Sequence, residues 1–243
     1  AGNVAERKLM KLLTEILSPN ICIICQRPCI ELSEYPSLCR RCLQTLPWRR
    51  ERSIITIDDT GQARPDFYQN SSPVAVYSAC DYEGRLRRCL ISLKFYGQTG
   101  MARPLAAILA RAIRSLRIDP DAVAAVPLHG SRIRERGYNQ AGLVAAHCAG
   151  FIKRPDISEL MIRVRNTERQ SEQSDRRARF DNLKNAFVLD RSKMRDLNNV
   201  LLNRHILLID DVLTTGATML EAARPLLECG AKVSCISVAS DHS

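Results

Sequence analysis

The hydrophobic and polar positions of this chain change rhythm near residue 73. Beyond it, "VAVYSAC" (74–80) reads as a strand, and "GRLRRCLISLKF" (84–95) places Leu86, Leu90 and Leu93 on one helical face. "ARPLAAILARAIRSL" (102–116) is a second, clearer helix, followed by the short buried strand "AVAAVPL" (122–128). "YNQAGLVAAHCAG" is helical again and stops at Gly150. After "LMIRV" (160–164) and a polar, basic stretch come the strand "HILLID" (205–210), the helix "ATMLEAARPLLECG" (217–230) and a last strand, "KVSCISVAS" (232–240). Strands alternating with helices predict an α/β domain over 74–243, built on a largely parallel sheet flanked by helices. Ligands of such sheets bind beyond the carboxyl ends of the strands.

The part before residue 73 obeys other rules. "KLMKLLTEIL" puts Leu9, Leu12, Leu13, Ile16 and Leu17 on one face, which predicts an amphipathic helix within 1–18. It either packs on the adjoining cysteine-rich segment or lies on a membrane surface. Residues 49–73 are polar, contain Gly, Pro and Ser-Ser, and are expected to form a linker. Between them, in 19–48, Cys22, Cys25, Cys39 and Cys42 form two C-x2-C pairs thirteen residues apart. Both sulfurs of such a pair can face one ion, so the two pairs predict a tetrahedral structural Zn2+ site. The ion would organise a segment too poor in apolar residues to fold alone. Cys29 is expected to remain an uncoordinated thiol.

One stretch carries the chemistry. "ILLIDDVLTTGATM" (206–219) is an apolar strand that ends in two adjacent aspartates and a Thr-Gly turn into a helix. The turn Thr214, Thr215, Gly216, Ala217 and Thr218 offers backbone N–H groups, hydroxyls and a helix N-terminus to a phosphate. Asp210 and Asp211 beside it would repel a simple anion. They suit a ligand that carries a vicinal diol a few ångströms from its phosphate, as ribose 5-phosphate does. "IDDTG" at 57–61 copies the motif superficially, but no helical pattern succeeds it.

Composition narrows the partners. Of 243 residues 26% are charged, with 36 Lys+Arg against 26 Asp+Glu, a net charge of +10 that favours a polyanionic partner. Aromatics are only 5%, few for a long stacking platform. Ten cysteines, five of them between Cys22 and Cys42, point to a metal and a cytoplasmic setting rather than a disulfide scaffold. No apolar run approaches the roughly 20 residues of a membrane span, and the N-terminus lacks a signal-peptide core. There is no Walker A loop, no G-x-G-x-x-G and no Ser-His-Asp or Cys-His constellation. His147 and Cys148 diverge on a helix, and His129 and His205 need no role.

"ILLIDDVLTTGAT" resembles the thirteen-residue signature of type I phosphoribosyltransferases. The resemblance implies the fold of those enzymes and binding of phosphoribosyl pyrophosphate (PRPP) with Mg2+. Asp210 and Asp211 would hold the ribose, and Thr214, Thr215, Gly216, Ala217 and Thr218 the 5-phosphate. "SLKFYG" (92–97) resembles the pyrophosphate loop, with Lys94 at the diphosphate. Together with the cysteine pairs, "RERGYNQ" (134–140) is similar to the ComF/ComFC (GntX-like) family of competence proteins: a zinc module and then a phosphoribosyltransferase domain. The likeness covers nearly the whole chain. It implies natural transformation, single-stranded DNA, a helicase-like ATPase neighbour and a place at the cytoplasmic side of the inner membrane.

The residues support two readings. In one, Asp210, Asp211, Lys94 and Arg136 make the chain a phosphoribosyltransferase acting on a nitrogen acceptor. In the other it binds a PRPP-like ligand and single-stranded DNA without turnover. Arg132, Arg134, Arg136, Tyr138, Arg165, Arg169 and Arg177 are the expected phosphate or nucleic-acid contacts, either as a loop closing over PRPP or along a strand backbone. Tyr138 either stacks on a base or packs.

Overall fold

The computed structural model describes residues 20–29, 35–49, 52–57, 63–64, 73–166, 185–190, 192–193 and 201–241. The helix expected in 1–18 and the contacts expected of Arg169 and Arg177 lie outside them, as does most of the 57–61 copy.

A six-stranded sheet organises the molecule. Its strands are β1 (Arg52–Ile57), β2 (Ala63–Arg64), β3 (Pro73–Asp81), β4 (Ala122–Ala125), β7 (His205–Leu213) and β8 (Lys232–Ser240), in the order β2-β1-β3-β8-β7-β4. β3, β8, β7 and β4 are parallel neighbours, whereas β1 pairs antiparallel with β3, from Arg52 opposite Tyr77 to Thr56 opposite Pro73. The stretch 49–73 therefore holds two strands where a linker was expected. "RSIITI" is rich in β-branched residues and satisfies its backbone by extending the sheet edge. A second sheet pairs β5 (Met161–Arg163) with β6 (Phe187–Leu189).

The central strands are apolar on both faces because helices cover both. Leu207, Ile209, Ile236 and Val238 point to one side, where α2 (Gly84–Phe95), α3 (Ala102–Ser115) and α5 (Gln140–Ile152) pack. Ile206, Leu208, Val233 and Cys235 point to the other, under α6 (Ala217–Glu228) and Phe187 of β6. Each fully buried Leu or Ile contributes about 1.5–3 kcal/mol relative to exposure.

The cysteine module is not a separate bead. Cys22, Ile23, Leu38 and Leu43, the last on the short helix α1 (Arg40–Thr45), share one core with Leu86, Leu90 and Leu105. Cys89 of α2 donates its thiol to the carbonyl of Ile23 at 3.2 Å. Trp48 closes the module: its indole donates to Leu43 O at 2.9 Å, and the guanidinium of Arg111 lies 5.3 Å over its ring. The chain then joins β3 through Asp81 N to Pro47 O and Arg49 N to Ala79 O.

Candidate phosphoribosyl site

β7 is longer than its apolar run. It continues through Asp210 and Asp211 to Leu213, so both aspartates stand on strand backbone at the carboxyl edge. Asp211, 5% exposed, shares its side with Leu207 and Ile209 and meets Lys94 from the last turn of α2, with Nζ 3.6 Å from Oδ2. Among the described residues that buried Oδ2 has no hydrogen-bond partner, while Oδ1 accepts the Val212 amide at 2.9 Å. An oxygen so placed awaits a donor.

Asp210 stands in register with Ser237 of β8, its Oδ1 accepts the Asp211 amide at 2.8 Å, and its carboxyl comes within hydrogen-bond reach of the Asp211 carboxyl. Ser237 bonds in turn to Ser78 of β3. Burial first, and the adjacent charge of Asp211 second, hold the Asp210 carboxyl well above the usual carboxylate range. Asp210 also acts electrostatically on Arg163 of β5. Its guanidinium stacks 5.3 Å over Phe187, and burial lowers its pKa while Asp210 opposes that and Arg132 adds to it. Nothing in the arginine-rich stretch marks Arg163, rather than its neighbours, as the one whose charge interacts with Asp210. β5 is placed by pairing with a strand distant in sequence, with Arg163 opposite Phe187.

The turn after β7 has the shape its sequence predicts. Gly216 takes φ +78° at the N-cap of α6, a left-handed conformation that suits glycine. The N-cap residue offers no side-chain cap, and Thr215 Oγ1 approaches the Ala217 amide at 3.4 Å. Thr214 is exposed, Thr215 and Thr218 are half-buried, and Gly216 and Ala217 are buried. The helix thus begins with amides and hydroxyls available to an anion.

α2 delivers Lys94 to this place. Its first turn comes just after the end of β3 and its last turn meets the end of β7, so it lies across the carboxyl edge of the sheet. The "RGYNQ" corner fixes that last turn. Gly137, at φ +87°, ends α4 (Gly130–Arg136), and Asn139 caps α5 through the Ala141 amide at 3.1 Å. Asn139 Nδ2 also donates to Val126 O at 3.1 Å, at the end of β4. Tyr138 donates its hydroxyl to Leu93 O, one residue before Lys94, and its ring packs partly buried against the core. Arg136 Nη1 donates to the buried Gln140 Oε1 at 2.5 Å, and its guanidinium lies 5.6 Å over Phe95; Lys94 Nζ lies 5.9 Å over the same ring. Lys94, which meets Asp211, and Arg136 are thereby brought together around Phe95.

Other expected contacts sit farther out. Arg132 pairs with Glu135 at 3.4 Å, Arg134 is exposed, and the Arg165 side chain is exposed while its carbonyl accepts from Arg163 Nε at 3.3 Å.

Comparison with known proteins agrees with this geometry. Residues 98–243 match the phosphoribosyl transferase domain family. The chain is 31% identical to the DNA utilization protein YhgH of Salmonella typhimurium over 224 residues, 88% of this chain and 93% of that protein. It is 31% identical to Competence protein ComFC of Bacillus subtilis over 215 residues, 88% of this chain and 74% of that protein. The chain belongs to the ComF/ComFC family. With Competence protein F of Haemophilus influenzae the identity is 36% over 144 residues, which cover 56% of this chain and 59% of that protein. In this ComF/ComFC chain the four sulfurs of Cys22, Cys25, Cys39 and Cys42 lie within 4.8 Å of one another, a group able to hold a metal ion, and Cys29 lies outside it. Four thiolates with that spacing are the donor set of structural zinc. The thiols share protons unequally: burial and neighbouring thiols push Cys42 up, whereas amides near Cys22 outweigh its burial and draw it down to about 7. Among the described residues no helix is long and apolar enough to cross a membrane.

Proposed function

We infer that this chain binds PRPP, or a closely related phosphoribosyl ligand, and works in the handling of incoming single-stranded DNA during natural transformation, at the cytoplasmic side. The observation that carries the first half is the buried Asp211 Oδ2, ion-paired with Lys94 yet without a hydrogen-bond partner among the described residues, beside a helix N-terminus whose N-cap, Gly216, supplies no side-chain cap. A ribose hydroxyl would satisfy the former while its 5-phosphate meets the latter. Lys94 and Arg136 stand where a diphosphate would extend. Mg2+ would arrive with that diphosphate, for which carboxylate oxygens are suitable hard donors. The names of the relatives, competence and DNA utilization proteins, support the second half, and the +10 charge suits a nucleic acid.

The convergence of Lys94 and Arg136 also favours a second reading, phosphoribosyl transfer. A nitrogen nucleophile attacks the anomeric carbon; the new C–N bond replaces the C–O bond, whose electrons leave with pyrophosphate. The two fixed cations stabilise that leaving charge, and the acceptor loses a proton. Pyrophosphate release over a panel of bases and amines, abolished in Asp211→Asn, would establish transfer.

Diol recognition separates either reading from plain phosphate binding. Ribose 5-phosphate should raise the melting temperature, because a ligand bound only by the native state stabilises it. 2-Deoxyribose 5-phosphate should raise it less. Equal shifts would contradict the assignment of the aspartates.

A further inference from the structure

The exposed side of α2 is basic along its length. Arg85, Arg88, Ser92 and Phe95 recur at intervals of three and four, so they lie along one face. The helix carries Arg85, Arg87, Arg88 and Lys94 and no acid. Arg85 and Arg88 are exposed, and among the described residues neither has an ion pair. At the start of this face a cleft of about 510 Å3 opens between α2 and the cysteine module. Arg27, Arg41 and Arg85 line it, against the single acid Glu83 among its described lining residues. At the other end Phe95 and Tyr96 are 57% and 71% exposed, in a chain with few aromatics. Two cations, Lys94 and Arg136, flank Phe95, and both belong to the phosphoribosyl site.

The geometry points to a single-strand path along α2: the backbone of single-stranded nucleic acid tracks Arg27, Arg41, Arg85 and Arg88, and an unpaired base stacks on Phe95 at the edge of the phosphoribosyl site. The path rests on the DNA-handling half of the proposed function, and it replaces the arginines of α4 as the expected strand contact. Apart from Glu83 the charge of the described residues along the path is of one sign, and among the described residues these four arginines have no ion pair, which fits a backbone of phosphates. The aromatic end selects a single strand, because only unpaired bases offer a face to a protruding ring. From Arg85 to Phe95 the helix rises about 15 Å, so the path would connect the metal module to the ribose pocket.

The experiment uses the full chain and a fluorescent thymidine oligonucleotide, read by anisotropy over a salt series, beside calorimetry with PRPP and Mg2+. Arg85→Glu/Arg88→Glu should weaken the oligonucleotide at least tenfold, with PRPP affinity unchanged. Replacing both positions by Gln should flatten the dependence of log affinity on log salt by about 1.4, since single strands give about 0.7 per phosphate contact. Phe95→Ala should weaken the base-bearing strand about tenfold and leave an abasic strand of equal length unaffected. Unchanged oligonucleotide affinity in Arg85→Glu/Arg88→Glu would overturn the path. So would loss confined to Arg134→Glu, or charge-swap loss on phosphatidylglycerol vesicles but not on the oligonucleotide. A wild type that ignores PRPP while the charge-swap variant still loses the strand would sink the phosphoribosyl reading and leave the path standing.

Discussion

Lys94 Nζ lies 3.6 Å from Asp211 Oδ2, an ion pair that joins the end of α2 to the acidic end of β7. Asp211 is 6% exposed in its side chain and Lys94 20%, so water does little to soften the loss of either partner. This pair holds together the residues expected to part around a ligand: Lys94 toward a diphosphate, Asp211 toward a ribose hydroxyl.

Lys94→Met should therefore destabilise the free protein by about 1–3 kcal/mol, the cost of leaving a buried acceptor without a partner. Adding Asp211→Asn should recover most of that. Urea unfolding of the two single variants and the double tests it; strictly additive effects would contradict the pairing.

Asp210 gives a prediction with a sign. Its folded-state pKa is raised, by burial first and by Asp211 second. A raised pKa means that stability present below the unfolded value, about 3.9, is lost as pH rises toward the folded one. Asp210→Asn removes that loss. Its melting temperature should exceed the wild type's at pH 7–8, and the difference should vanish as pH falls toward about 4. Ligand binding should suffer at the same time. A variant less stable than wild type at pH 7–8 would contradict the assigned burial.

The Tyr138 hydroxyl, bound to Leu93 O, positions the turn that carries Lys94. Tyr138→Phe should cost about 0.5–1.5 kcal/mol, read as a lower urea midpoint, and should weaken PRPP without touching it. If Tyr138 instead contacted a base, the variant would lose strand affinity and keep its stability.

The four-cysteine group shares a core with α2, so metal should act beyond its own loop. The purified protein should hold about one zinc. Chelation should lower its melting temperature and speed amide exchange in residues 86–93. Exchange confined to residues 20–49 would show the module to be independent.

Much of this was legible in the chain because it is local. Cysteine spacing, the 3.6-residue pattern of α2 and α3, and the strand-turn-helix around Asp210 each state their own structure. The remainder depends on contacts distant in sequence. "RSIITI" lies among polar residues, so its role as an edge strand emerges only from pairing with β3. Arg163 looks like any arginine until β6 places it over Phe187. Phe95 is one aromatic among few in the sequence until α2 ends at the sheet edge and leaves its ring exposed. Tyr138 had two roles open to it by residue type, and its hydrogen bond to the carbonyl of Leu93 is visible only in the fold.

The most direct test of the central claim is a calorimetric titration of the zinc-loaded chain with PRPP and Mg2+, wild type against Asp210→Asn/Asp211→Asn. Saturable binding by the wild type, lost in the double variant while its fold persists by circular dichroism, is the predicted result. No heat of binding from folded wild type, or equal affinity in both proteins, would contradict a phosphoribosyl site at the end of β7.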